Sequence, residues 1–273
     1  MAEADRVPAG INPSVPSVAR MYDYYLGGRD NFASDREAAE KMIELGRKMG
    51  NDARKIALSN RGFLRRAVRM LAEAGVRQFV DIGAGLPTQD NVHQVARRYV
   101  PGSRVVYVDN DPIVLAHARA LLAREQDVIA LEGDVRDPEA ILADPLVTGH
   151  LDLSEPYAVL MVAVLHFVSD DDEAAGIAAR IRERLRPGCH LVLSHLYKGD
   201  ATEDATRAGQ QVYSGTTSGA LAGRGYDDIA GYFGDLELLG PGVVPVADWT
   251  GDAAPGGKHD LVRPGILAGV GRA

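Results

Sequence analysis

Gln78-Phe79-Val80-Asp81-Ile82-Gly83-Ala84-Gly85-Leu86-Pro87-Thr88 constrains the fold of this chain more than any other stretch. Phe79, Val80 and Ile82 form a short apolar run of the kind buried in a parallel sheet. The run breaks at Gly83-x-Gly85, Pro87 blocks its continuation, and a helical pattern follows from about Thr88 to Arg98. Thr88 and Asp90 are the candidate caps of that helix. Strand, glycine turn and helix bring a ligand against bare backbone, because glycine adopts positive φ and has no Cβ in the way. The helix N-terminus adds unpaired N–H groups and partial positive charge.

A dinucleotide site would read G-x-G-x-x-G, whereas here the third glycine is replaced by Thr88 and Asp81 stands two residues before the first. The pattern Asp81-x-Gly83-x-Gly85 resembles the first motif of class I S-adenosylmethionine (SAM) methyltransferases. That resemblance implies that the acid orders the glycine loop and the amino-acid end of the ligand. By itself the tripeptide also suits an ordinary strand–helix turn. Two further strand ends strengthen it. Arg104–Asp109 is an apolar run ending on an acid, followed by Asn110-Asp111-Pro112 and a helical stretch 113–124. Its separation from the glycines suits a carboxylate placed on a ribose hydroxyl pair, with Asn110 beside it, although Asp109 would serve equally as a helix cap. Val128–Glu132 then leads into Gly133-Asp134-Val135. In the family, an acid here accepts from the adenine amino group and the next residue packs on the ring; Asp134 and Val135 match.

At 273 residues the chain is one large domain or a domain with extensions. A net charge of −8 disfavours a broad phosphate-binding surface, so nucleic acid is a poor partner. Cys189 is single, which excludes an internal disulfide and suits a reducing compartment. No apolar run approaches the ~18 residues of a membrane span, and the N-terminus has no signal-peptide core. A cytoplasmic protein is expected. Residues 1–16, with Pro8, Gly10, Pro13 and Pro16, read as an irregular leader. Residues 17–75 read as a helical extension: one helix from a Ser14 or Ser17 cap to Gly27-Gly28, a second over 34–50, a third over 52–73. The tyrosine-rich stretch 19–32 is either a packed amphipathic helix or a lid, in which Arg20, Tyr22 or Asn31 touches the donor's carboxylate or the acceptor. The SAM-binding domain would occupy 76–273.

Taken together, Tyr25-Leu26-Gly27-Gly28-Arg29-Asp30-Asn31-Phe32, Asp81–Thr88 with Asn91-Val92-His93, and Val106–Pro112 resemble the actinobacterial S-adenosyl methyltransferase family, long a domain of unknown function. Asp134–Pro138, Val164–Val168 and Ser194-His195 extend the match, which runs from about Asn12 to the C-terminus. It implies an α/β, Rossmann-like class I methyltransferase sheet of seven mostly parallel strands, with SAM as cofactor. It implies no acceptor.

The fourth strand, 157–162, leads into Ala163 and a segment that borders donor and acceptor in this fold. His166 is the general-base candidate, against the alternative that it shapes the adenosine pocket or holds a carbonyl. His195, at the end of the fifth strand (190–195), is a second one. Asp170-Asp171-Asp172-Glu173 reads as a helix cap before 174–186 rather than a metal site, and the seven histidines lack metal-ligand spacing. Residues 197–225 read as an insertion over the acceptor pocket with a helix at 204–213. A helix at 226–233, a strand at 236–239, a Gly/Pro loop at 251–257 and a last strand at 265–272 follow. The expected function is a SAM-dependent methyltransferase acting on a small molecule. A non-catalytic SAM-binding protein and, less favoured for lack of a Tyr-x-x-x-Lys set, an NAD-dependent oxidoreductase are the alternatives.

Overall fold

The computed structural model describes residues 11–87, 90–122, 125–252, 259 and 261–273. Its centre is one sheet of seven strands: β1 (Gln78–Ile82), β2 (Arg104–Asp109), β3 (Val128–Glu132), β4 (Ala158–Val162), β5 (His190–Tyr197), β6 (Glu237–Pro245) and β7 (Gly265–Arg272). Their order is β3-β2-β1-β4-β5-β7-β6. β1 to β5 pair in parallel, while β7 runs antiparallel to both β5 and β6. The seven-stranded, mostly parallel sheet expected from the sequence is the one observed.

Both faces of the sheet are covered, which is why the central strands β1 and β4 are buried along nearly their whole length rather than alternating. On one face Val80, Ile82, Val106, Val159 and Met161 pack against Ile177 and Ile181 of α8 (Asp171–Arg184). On the other, Phe79, Val105, Tyr107 and Leu160 meet Phe63, Leu64 and Leu71 of α3 (Ala53–Glu73) and Val95 of α4 (Val92–Tyr99). The remaining helices are α1 (Val18–Tyr25), α2 (Ala33–Lys48), α5 (Pro112–Leu122), α6 (Pro138–Ala143), α7 (Pro145–His150), α9 (Glu203–Ser214) and α10 (Tyr226–Gly231).

The chain departs locally from what its sequence suggests. The helix expected from Thr88 starts at Val92, with Asn91 as N-cap and its backbone N–H donating to Gln94 Oε1 at 2.9 Å. Asp90 is not the cap. It adopts φ 59° and its carboxylate pairs with Arg98 and Arg65 instead. Thr88 lies outside the described residues, as do residues 1–10 of the leader and most of the 251–257 loop. The sixth strand extends well past residue 239, because a bulge between Leu239 and Val244 absorbs Gly240-Pro241-Gly242 without ending the pairing. Asp170 caps α8, accepting from Glu173 N at 2.8 Å.

The N-terminal helices are tied to one another by buried charge. Asp35, fully buried, accepts from Ser17 N (2.8 Å) through one oxygen, and from Phe32 N (2.7 Å) and Arg20 Nε (2.8 Å) through the other. The Ser17 hydroxyl donates to Asp111 at 2.5 Å, clamping the start of α1 onto the loop after β2. α9 closes the layer: Tyr213 packs with Met21, Tyr25, Ala39 and Ile43, and Thr217 N donates to Pro16 O at 2.9 Å.

Candidate active site

The sheet order reverses between β1 and β4, and ligands of such sheets gather at the C-terminal ends of the strands there. β1 delivers Gly83 and Gly85, both left-handed, at φ 74° and 66°. A Cβ on Gly83 would lie 2.6 Å from Val164 Cγ2, so the loops after β1 and β4 meet only because that carbon is missing. At Gly85 the same construction meets nothing within 4 Å, leaving bare backbone facing open space. Gly83→Ala should therefore cost about 1–2 kcal/mol in backbone strain alone. Repacking against Val164 adds to that, and urea denaturation reads the sum.

Asp109 ends β2 and fixes this loop. One carboxylate oxygen accepts from Gly85 N (2.9 Å) and the other from Asp111 N (2.9 Å). Burial raises its pKa, opposed by those two N–H donors. Asp81, buried inside β1, is pushed up to about 7, chiefly by desolvation; Arg61 opposes the shift and Asp109 adds to it. Asp134, half-exposed after β3, accepts from Arg136 N at 2.9 Å and lies 3.4 Å from Asn110 Nδ2. Val135 is buried beside it.

Ala163 closes β4 in the left-handed region, at φ 58°, which is uncommon for a residue with a Cβ. A buried relay holds it there. Its N–H donates to Ser194 Oγ (3.0 Å), which donates to Asn60 Oδ1 (2.7 Å); Asn60 Nδ2 donates to the Tyr22 hydroxyl (3.1 Å), which donates to Ala57 O (3.1 Å). The relay joins the tips of β4 and β5 to α3 and α1. Asn60 belongs to the site's support, and nothing local in the sequence marks it.

His166 lies in a 3-10 turn, Leu165–Phe167, directly after this point. Its Nδ1 accepts from Leu196 N at 3.2 Å, so the neutral ring carries its proton on Nε2. Burial, with His195 and Arg224 nearby, holds its pKa well below the usual imidazole value. The ring thus offers an N–H, not a lone pair, which argues against the general-base role expected for it. His195 is no acid–base candidate either. It is fully buried, Nδ1 is bonded to Leu196 O (2.8 Å), and Nε2 faces Arg224 Nη1 at 2.9 Å. Both nitrogens are used, and burial pushes its pKa down to about 4.

A cavity of about 840 Å³ joins these parts. Asp81, Gly83, Gly85, Asp109, Asn110, Asp134, Val135, Ala163 and His166 all line it, together with Tyr22 and Arg20. Arg20 is accounted for without a ligand, since Asp35 and Val15 O hold its guanidinium over the Phe32 ring at 4.9 Å. The Tyr22 hydroxyl is used within the relay. Asn31 is not on the cavity wall: its amide donates to Asp23 (2.8 Å) and its side-chain oxygen accepts from Arg36 (3.2 Å).

The strand order, the antiparallel last strand and the glycine loop flanked by strand-end acids define a class I SAM-dependent methyltransferase. A family model for S-adenosyl methyltransferases matches residues 4–273, and the chain belongs to that family. A crystal structure from Thermobifida fusca YX, assigned as a methyltransferase, is 39% identical over 98% of each chain, with a TM-score of 0.85. A DUF574 family protein from Streptomyces avermitilis MA-4680 is 38% identical over 94% of this chain and 97% of that one, with a TM-score of 0.82. Among proteins of curated function, no sequence matches. No helix of the described residues is long and apolar enough to cross a membrane.

Proposed function

We propose that the chain binds SAM against the glycine loop and transfers its methyl group to a small molecule enclosed beneath the N-terminal helices. One observation carries this reading: a single cavity runs from the strand-end carboxylates to a chamber roofed by α1, α2 and α9. Its size is that of a small-molecule site. When bound, the sulfonium supplies an activated methyl group whose bonding electrons leave on sulfur. The chain's own part is binding and alignment, which suffice for much of the rate. Asp109 keeps free lone pairs for a ribose diol while its other contacts hold Gly85. Asp134 and Val135 suit the adenine edge and face, with Asn110 alongside. Asp81 suits the ligand's ammonium end. The Nε2–H of His166 steadies an oxygen on the donor or acceptor rather than removing a proton.

Calorimetric titration with SAM and with S-adenosylhomocysteine tests the reading. Both should bind saturably to the native chain. Asp109→Ala removes two charge-assisted bonds from the loop and should weaken both ligands by about 10–100-fold. Absence of heat at millimolar ligand, with the protein folded, would overturn it.

A further inference from the structure

The acceptor end of the cavity differs in chemistry from the donor end. The four carboxylates on the cavity wall, Asp81, Asp109, Asp111 and Asp134, all stand on or just after β1, β2 and β3. Among the described residues, no Asp or Glu of α1, α2, α3, α9 or the segment following β5 reaches the wall. Those elements contribute Met42, Tyr25, Tyr213 and Leu221, with Met49 just after α2, and Phe167 of the 3-10 turn joins them on the wall. The Phe167 and Tyr213 rings stand 5.8 Å apart at 34°, giving the chamber an aromatic side. The methionines of the wall are adaptable and pack well on rings.

Asn51, Thr206, Thr217 and Ser218 also reach this wall, but three other polar groups bear on the guest's charge. The buried Tyr25 hydroxyl makes no well-formed hydrogen bond, although Tyr213 is its neighbour and burial raises the pKa of both phenols. A buried hydroxyl in that state is completed by a ligand oxygen or a water. His166 Nε2–H has no protein acceptor among the described residues. Lys198, exposed at the rim, is in no ion pair among the described residues. Neutral polar groups and a cation at the rim, with no carboxylate on this part of the wall among the described residues, suit an oxygen-bearing guest. An ammonium would be desolvated without a counter-charge.

Resting on the methyltransferase reading above, we infer that the acceptor is a ring-bearing, oxygenated small molecule that is neutral or anionic, and not an amine. Its apolar body lies between Met42, Phe167 and Tyr213, its oxygen toward Tyr25 or His166, and any acid group toward Lys198.

Three probes of one ring system separate the alternatives: 2-naphthol, 2-naphthoate and naphthylmethylammonium, titrated by their fluorescence into the chain saturated with S-adenosylhomocysteine. Naphthol and naphthoate should bind, and the ammonium at least about tenfold more weakly. Gly209 of α9 lies where a Cβ would stand 3.7 Å from Met42 Cε and 4.0 Å from Leu221 Cδ2, so Gly209→Leu fills the chamber. It should weaken both ring probes at least about tenfold while S-adenosylhomocysteine binding stays unchanged, which also reports that the variant is folded. Lys198→Met should remove only the advantage of naphthoate over naphthol. Equal or tighter binding of the ammonium, no binding of any probe, or indifference to Gly209→Leu would overturn the inference. Failure of S-adenosylhomocysteine itself to bind would instead sink the methyltransferase reading.

Discussion

Arg224→Met should lower the free energy of unfolding by about 3–5 kcal/mol, a large part of what a domain of this kind has. The guanidinium is 2% exposed and serves one carboxylate, three carbonyls and a histidine. Nε donates to Asp171 at 2.9 Å, and Nη2 to Val168 O at 2.9 Å and Asp170 O at 3.1 Å. Nη1 meets Leu165 O at 3.4 Å and His195 Nε2 at 2.9 Å. The Asp171 bond itself counts for little, because that carboxylate is mostly in water. The cost comes from the buried oxygens and the ring nitrogen left without a donor, while methionine preserves most of the stem's packing. Arg224→Lys should recover only a fraction, since a point charge does not span the same fork of acceptors. Urea denaturation followed by circular dichroism measures both variants; a loss below about 1 kcal/mol for the methionine would show the hub to be idle. Because Arg224 also pins the turn that carries His166, donor binding should weaken in step with stability.

Arg224 also shows where sequence reading stops. β2, β3 and β7 run over the residues expected of them, because a parallel or central strand is a dense apolar run bounded by Gly, Pro or Asp. The three strand-end acids were legible for the same reason, each following such a run. α6 and α7 were not, since at six residues apiece they are too short to display a 3.6-residue period. Gly240-Pro241-Gly242 reads as a turn that would end β6 at residue 239, and only the partner strand makes it a bulge. The supports of the site are more remote still. Asn60 meets Ser194 across 134 residues, and Arg224 meets Asp171 across 53. An asparagine or arginine on an amphipathic helix or in a polar loop has no local mark of such a partner. The histidines are similar: residue type suggests acid–base chemistry, whereas the contacts with Leu196 and Arg224 decide which nitrogen carries the proton and which is engaged.

Donor binding should tighten as pH rises through about 7, and Asp81 is the cause. In the free chain its carboxyl is raised to about 7 by desolvation, so near neutral pH a large share is protonated. A ligand whose ammonium meets Asp81 selects the carboxylate and releases that proton. Below pH 7 the apparent affinity should fall by about tenfold per unit until the pKa of the bound state is reached, and above about pH 8, where the ligand's own α-amino group loses its proton, it should fall again. The stability of the free chain moves the opposite way. The folded pKa lies above the unfolded one near 3.8, so the folded state holds the proton longer. Stability contributed by Asp81 is intact below about pH 4 and is lost as pH rises through 7, by about 4 kcal/mol in all. Asp81→Asn separates the two effects. It should stabilise the free chain at pH 8, weaken SAM and flatten the pH dependence of binding. Calorimetry in buffers of different ionisation enthalpy counts the released proton directly. Release of close to half a proton at pH 7, absent in the asparagine variant, is the expected result. Binding with no proton release in the native chain would remove Asp81 from the ligand's ammonium and leave it as a purely structural acid beneath the glycine loop.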